Sequence, residues 1–377
     1  MAREASSPLR ILLVNPYDLS HPGGVTSHVS DLAHQFRLMN HEVEIAGPAG
    51  QGLLPQDGYT HILGSTMKFL SPGDSARVNA NPFIGRTVRV FLKDRKYDVY
   101  HLHEPFLGFI GPAFMRYGGG VNVGTFHTTR IGPHLPYIIG WPLIQYWNRM
   151  LDGHIAVAES AMRTAARYVK GDYHVIPNGV NFERFAERQQ LPPHLLDERP
   201  IVLFVGRIEA RKGIPYLLQA FALLKERVPQ VRLVLVGEGG LRTEYMKMTQ
   251  TMGLHDVTWE GYVSPDYLPA YYQRADVFAM PSTVNESFGI TLLEAMAAKA
   301  PAVATLVNGT TTLGENGVTG LIVPPKDPQA MADAIERLLG DRKLAAEMAE
   351  AAQERARRFD WENVARELLG LYEELGA

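Results

Sequence analysis

The chain has 377 residues, 37 Lys+Arg against 40 Asp+Glu, a net charge of −3 and no cysteine. Such a length holds two domains of ordinary size; the charge balance argues against a nucleic-acid partner, and the missing thiols exclude disulfides, thiolate nucleophiles and cysteine zinc sites and fit a reducing cytoplasm. The start, MAREASSPLRILLV, has no apolar leader, and no run approaches the about 20 apolar residues that cross a bilayer, residues 137–144 (YIIGWPLI) coming closest with Pro142 inside them.

In chain order, Arg10–Tyr17 (RILLVNPY) reads as a buried strand, followed by the loop HPGGV and a helix from about Thr26 to Asn40. Residues 83–96 read as a helix with Ile84, Val88, Phe91 and Leu92 on one face and Arg86, Arg89, Lys93 and Lys96 on another. Further strands are expected at Glu42–Ala46, Val99–His103, Val121–Phe126, His154–Val157 and His174–Ile176. Apolar strands alternating with helices indicate a parallel sheet covered on both faces. Residues 186–198 are polar and proline-rich and read as a linker. The scheme then restarts with a strand at Ile201–Val205, a helix at Ile214–Arg227 and strands at Val231–Val236, Val257–Trp259, Val277–Met280, Ala302–Thr305 and Leu321–Val323. A final amphipathic helix covers Trp361–Leu375. The fold class is therefore α/β: two Rossmann-like, doubly wound domains, 1–185 and 199–359, with a cleft between them where a ligand is expected.

Two other functions share such folds. A nicotinamide dehydrogenase needs G-x-G-x-x-G after its first strand, whereas these strands are followed by NPYDLSHPGGV and GRIEARKG. A secreted sugar-binding protein needs a leader.

The most specific feature is NESFGITLLEAMAA, residues 285–298. Ile290, Leu293, Met296 and Ala297 form one helical stripe, so Glu286 precedes the helix and Glu294 lies more than a turn inside. Amides of Phe288, Gly289 and Ile290 then point from the helix N-terminus, an anion site suited to a diphosphate or to sugar hydroxyls. Read singly, Glu286 is an ordinary acid at a helix start. In GRIEARKG, Arg207 and Lys212 stand at a strand C-terminus, where cations neutralise a diphosphate leaving group. Adjacent Gly23 and Gly24 let the backbone approach a ligand closely. GTFHTT sets His127 and Thr128 just past a strand. His101, His103 and Glu104 in HLHEP are only part of a metal site. No Asp-x-Asp occurs, so a divalent ion on the sugar nucleotide lacks its usual handle. No metal and no cofactor are expected.

On these residues the chain resembles glycosyltransferase family 4, retaining enzymes of the GT-B fold. PGGVTSHV, HLHEP, GTFHTT, HIAVAES, IPNGV, FVGRIEARKG, LVGEGG, ESFGITLLEAMA and VTGLIVPP carry the likeness nearly end to end. Within the family, PGGVxSH, HxHEP and FHT look most like bacterial phosphatidylinositol mannosyltransferases, which use GDP-mannose at the inner membrane face. VNGTTTL (307–313) departs from the Gly-Gly-x-Pro-Glu segment of many members. The resemblance implies a metal-independent hexosyltransferase with a nucleotide sugar as co-substrate. Arg207 and Lys212 would hold the donor diphosphate, Glu286 the sugar with Ser287 and the amides of Phe288–Ile290, and Glu294 the ribose. The base would lie near Gly237, Gly261 and Val263. Gly24 would approach the phosphates, with Gly23, Tyr17 and Thr128 also lining substrate, and His127 would contact the sugar. The final helix, 360–377, would return to the N-terminal domain. Transfer would be a same-face displacement in which the departing phosphate takes the acceptor proton.

A basic face made of Arg86, Arg89, Lys93 and Lys96 suits an anionic lipid acceptor and peripheral, mainly electrostatic contact with a membrane; a solvated surface helix is the alternative. A UDP-sugar donor with a soluble or diacylglycerol acceptor, and a nucleotide-sugar epimerase or non-catalytic binder of the same fold, stay open, as does the oligomeric state.

Overall fold

The computed structural model describes residues 7–21, 23–50, 57–71, 74–130, 132–284 and 286–377, with the backbone alone for 68–71 and 74–76. Pro22 and Asn285, which belong to two of the motifs above, lie outside the described residues. The chain forms two compact units: Met1–Gly179 with Trp361–Ala377, and Val180–Asp360.

The first unit contains β1 (Arg10–Val14), α1 (Gly24–Leu38), β2 (Glu42–Gly47), β3 (Thr60–Ile62), the antiparallel pair β4 (Met67–Ser71) and β5 (Asp74–Val78), α2 (Ile84–Phe91), β6 (Val99–His103), α3 (Ile110–Tyr117), β7 (Val121–Phe126), α4 (Leu135–Ile139), α5 (Trp141–Asn148), β8 (Gly153–Ala156), α6 (Glu159–Ala165) and β9 (Tyr173–Val175). Its main sheet is parallel, in the order β3-β2-β1-β6-β7-β8-β9. The second unit contains α7 (Phe182–Ala186), β10 (Ile201–Val205), α8 (Ile214–Arg227), β11 (Arg232–Val236), α9 (Arg242–Thr251), β12 (Val257–Gly261), α10 (Leu268–Arg274), β13 (Val277–Met280), α11 (Ile290–Ala297), β14 (Ala302–Thr305), α12 (Asn308–Leu313), β15 (Leu321–Val323), α13 (Pro328–Gly340) and α14 (Arg342–Ala356). Its parallel sheet runs β12-β11-β10-β13-β14-β15. Then α15 (Trp361–Glu374) returns to the first unit.

Side chains alternate between the two faces of each strand, and because helices cover both faces the central strands are buried throughout. In β1, Ile11 and Leu13 pack with α1 and α15, while Leu12 and Val14 pack with α2 and α3. Trp361, Val364, Ala365, Leu368, Leu371 and Tyr372 form the buried stripe of α15. The hydroxyl of Tyr372 meets His101 Nδ1 at 2.6 Å, and His101 Nε2 meets Thr125 Oγ1 at 2.6 Å. A helix at the far end of the chain is thereby tied to β6 and β7.

Strand order reverses between β1 and β6 and between β10 and β13. In open α/β sheets such switch points are where strand C-termini leave room for ligands.

The basic face expected over 83–96 needs correction. The helix ends at Phe91, so Arg86 and Arg89 are helical while Lys93 lies in the turn beyond it and Lys96 in the irregular segment that follows. Arg95 Nη1 donates to the Phe91 carbonyl at 3.1 Å, satisfying an end carbonyl from outside the helix. Ile84, Val88 and Phe91 do face the core. Residues 186–198 run along the second unit, where the Arg274 guanidinium donates to the carbonyls of Leu195, at 3.0 Å, and Asp197, at 2.5 Å.

Replacing Tyr372 by Phe leaves His101 Nδ1 buried without its partner. A loss of about 1–3 kcal/mol is expected, read as a lower urea midpoint and faster amide exchange in α15. Unchanged exchange would show that packing alone holds the helix.

Candidate functional site

In the second unit the switch point places the β10–α8 loop beside the segment after β13. Gly213 closes that loop at φ +70, and a Cβ there would come 1.9 Å from the Pro281 carbonyl, so the position requires glycine. The turn buries Lys212 to 7% exposure, with Nζ 2.7 Å from Glu286 Oε2. Arg211 Nη1 lies 3.6 Å from the same oxygen, and Ser282 Oγ donates to it at 3.0 Å. Burial alone would push the Glu286 carboxyl up; the charges of Lys212 and Arg211 and the hydrogen bonds outweigh it, and its pKa is lowered. Arg207, more exposed, pairs with Glu209, which also faces Arg211 Nε at 3.3 Å. Buried ion pairs rarely repay their desolvation, so this cluster is read as functional.

Glu286 ends a loop that leads into α11. Gly289 caps the helix at φ +94, and no acid stands in its first turn. Phe288 is buried, with its ring 5.8 Å from that of Phe359, while Ser287 and Ile290 are half-buried. Glu294 lies within α11 and accepts from the Tyr272 hydroxyl at 2.6 Å. The divergent VNGTTTL contains the short helix α12; a Cβ on its Gly309 would come 2.8 Å from the Phe288 carbonyl carbon and 3.0 Å from Glu286 Cγ. The departure from the family pattern therefore keeps the close approach against the Glu286 loop.

Three neighbouring strands of this sheet end in glycine at positive φ: Gly206 after β10, Gly237 after β11 and Gly261 in β12. Gly237 N donates to the Gly261 carbonyl at 2.8 Å and Gly206 N to that of Val236 at 3.0 Å. A Cβ at Gly237 would come 1.9 Å from the Gly206 carbonyl. The result is a ledge of closely approaching backbone at the strand ends, with the Glu238 carboxylate beside Gly261 and half-buried Val263 just beyond it.

In the first unit, Gly23 is the N-cap of α1 and Gly24 its first residue; Tyr17 follows β1 and bridges to Val78. His127 is buried beyond β7, with Nε2 2.9 Å from His103 Nδ1, and His28 of α1 stands edge-on at 4.8 Å between ring centres. Trp361, the first residue of α15, packs edge-on against His28 at 5.0 Å. Burial lowers all four histidines, His28 and His101 to about 3, His103 and His127 well below the ordinary value; repulsion from neighbouring histidines adds to this for His101, His103 and His127, while Asn178 opposes it for His28. His127 is thus a neutral hydrogen-bonding group. Glu104, at φ +46, accepts from His127 N at 2.9 Å and from Thr128 Oγ1 at 2.7 Å, fixing the loop that carries both.

The trio His101, His103 and Glu104 does not converge on a metal: His101 serves Tyr372 and Thr125, and Glu104 serves the loop. The structure instead brings His28, His103 and His127 together, with ligand atoms within 4.8 Å of one another. Two of their nitrogens already share the 2.9 Å hydrogen bond, which a bound cation would have to break. The sequence alone does not single out His28, Glu209 or Arg211, although the last two lie inside GRIEARKG beside Arg207 and Lys212.

Residues 22–184 match the family described as Glycosyltransferase Family 4, and residues 186–355 match Glycosyl transferases group 1. The chain is 34% identical over 370 residues to a phosphatidyl-myo-inositol mannosyltransferase of Mycobacterium leprae, covering 97% of this chain and 96% of that protein. This chain is a family 4 glycosyltransferase. An alpha-D-kanosaminyltransferase of Streptomyces kanamyceticus is 41% identical over 183 residues, covering 48% of this chain and 47% of that one. A sucrose-phosphate synthase structure from Thermosynechococcus elongatus superposes with a TM-score of 0.77 at 24% identity, covering 97% of this chain and 98% of that one, and shows the shared GT-B fold. In this glycosyltransferase the buried Lys212–Glu286 pair falls within the span matched to group 1, and His127 within that matched to Family 4.

Replacing Arg207 or Lys212 by Ala is expected to lower turnover by ~100-fold or more, and replacing Glu286 by Ala to do likewise while leaving Lys212 buried and unpaired. Near-normal turnover in all three would place the chemistry elsewhere.

The histidines give a pH prediction. Each has its folded pKa below its unfolded value, so its contribution to stability is complete above about pH 6.5 and is lost as pH falls toward the folded value. Each costs up to about 1.4 kcal/mol per pH unit over that window. The thermal midpoint should fall steeply between pH 7 and pH 5, and less steeply in His101→Gln. Equal slopes would mean that His101 titrates normally.

Proposed function

We propose that this glycosyltransferase moves mannose from GDP-mannose to a phosphatidylinositol-type lipid, with retention of configuration and without a metal ion. The observation that carries the reading is the full-length similarity to the mannosyltransferase named above; the Lys212 and Arg211 cations grouped around Glu286 before α11 support it.

The residues divide the work by chemistry. Arg207 and Lys212 neutralise the diphosphate as the sugar–oxygen bond breaks and charge gathers on the departing phosphate. The N-terminus of α11 adds its dipole. Glu286, held ionised by Lys212, is oriented to accept from sugar hydroxyls, and Glu294 from the ribose. The glycine ledge at Gly206, Gly237 and Gly261 takes the base. The departing phosphate oxygen takes the proton of the acceptor hydroxyl, so no separate general base is needed. Neutral His127 contacts the sugar as a hydrogen-bonding partner. Exposed Arg86 and Arg89, with Lys93 and Lys96, supply attraction toward anionic lipid.

Incubation with GDP-mannose and phosphatidylinositol should yield a mannosylated lipid, and the rate should survive excess chelator. Loss of activity on chelation with recovery on added magnesium or manganese would overturn the metal-free mechanism. Product from a UDP-sugar alone would replace the donor. A changed sugar nucleotide without any acceptor would mark an epimerase. Donor identity can be read independently from thermal stabilisation, about 2.7 kcal/mol at a hundredfold excess over the dissociation constant.

A further inference from the structure

We propose that the α4–α5 hairpin of the first unit is a bilayer-insertion surface, seating its bare apolar side in the interfacial layer of an anionic membrane while neighbouring guanidiniums take the headgroups. This rests on the lipid-acceptor reading above and adds a contact that the basic residues alone do not supply.

The hairpin has two sides. Ile144 is buried, and Tyr137 and Trp147 pack partly against the same core cluster, anchoring the hairpin. On the other side Leu135, Ile138 and Ile139, which share one face of α4 by their spacing, are 64%, 48% and 80% exposed, and Trp141, Leu143 and Tyr146 are each about half exposed. Residues 135–146 contain no charged side chain. A contiguous exposed patch of this kind marks an interaction surface.

Its length and breaks favour lying in the membrane surface. The two helices have five and eight residues and are separated at Gly140, with Pro142 in the first turn of α5. Among the described residues no helix is long and apolar enough to cross a membrane. An aromatic pair with an apolar body and a polar edge, here Trp141 and Tyr146, suits the headgroup boundary.

Charge selects the occupant. No Asp or Glu occurs from Pro105 to Leu151, a stretch that contains Arg116, Arg130 and Arg149. Arg116 Nη1 donates to the Tyr146 hydroxyl at 3.4 Å. The guanidiniums of Arg89 and Arg116 lie 4.6 Å and 5.8 Å from the centre of the Tyr117 ring, which links the hairpin to α2 and its exposed Arg86, Phe83 and Val90. A second copy of the chain docked about a twofold axis would bring these cations against one another; an anionic bilayer satisfies both the apolar side and the basic fringe.

The test uses the intact protein and vesicles of phosphatidylcholine with phosphatidylglycerol, or of phosphatidylcholine alone. Two variants are compared with wild type: Ile139→Ser with Leu143→Ser, and Arg86→Gln with Arg89→Gln. Wild type should bind anionic vesicles, keep part of that binding at high salt, and have its tryptophan emission quenched by brominated acyl chains. The Ser variant should lose the quenching and the salt-resistant binding, with partition lowered roughly 10-fold or more. The Gln variant should bind less but keep the quenching of whatever binds. Trp141→Phe should remove most of the quenching without releasing the protein. Absence of wild-type binding, or a Ser variant that binds and quenches as wild type does, overturns the proposal. So does a wild-type dimer that the Ser variant dissociates while vesicle binding is unchanged. Turnover of wild type on water-soluble glycerophosphoinositol, measured in parallel, tests the acceptor reading by itself, so failure of one is distinguishable from failure of the other.

Discussion

A parallel strand buried on both faces needs a helical layer on each, and this constraint organises the first unit. Between β1 and β9 the chain supplies α2, α3 and α5 to one face of the sheet but only α1 to much of the other. The uncovered strip over Val99, Val123, Ile155 and Ile176 is closed by α15. Its apolar stripe provides the area, and the contact of Tyr372 with His101 provides registration. The return of α15 also sets Trp361 against His28, beside the histidine assigned to the sugar. One packing requirement therefore reaches from the end of the chain to the candidate site.

The second unit solves a different problem, holding fixed charge where water is scarce. Lys212 and Glu286 are 74 residues apart and meet only because β10 and β13 are neighbours at the point where strand order reverses. Lys212, Arg211 and Ser282 together hold the Glu286 pKa down against its burial. The charge beside α11 is thus oriented by the fold before any ligand arrives. The glycine ledge works by the opposite device, omitting side chains where strand ends approach closely.

Much of this was legible in the sequence for identifiable reasons. Fully buried strands such as IVLFV and VYHLH are β-rich runs whose ends match the structure to the residue. Glu286 and Glu294 could be placed because helical periodicity in ITLLEAMA locates the helix start. Contacts made only by folding were less accessible. His28, His103 and His127 come from three separate elements, and nothing local in PGGVTSHV marks its histidine as a partner of GTFHTT. The end of α2 escapes a helical wheel, which continues indefinitely, whereas the chain must turn to enter β6. The apolar character of YIIGWPLI is plain in the sequence, but the two sides of the hairpin appear only once Ile144 and Trp147 have a core to join.

The discontinuity of the first unit has a consequence for biosynthesis. On the ribosome its sheet strands emerge early, yet the helix that closes one face emerges after the whole of Val180–Asp360. Until then Leu9, Val123 and Ile155 have no lasting cover, while the second unit is continuous and can complete its own core. The nascent first unit therefore passes through a prolonged stage with an apolar strip open to chaperones or to other chains. Shortening or weakening α15 should harm yield more than the loss of one surface helix would predict.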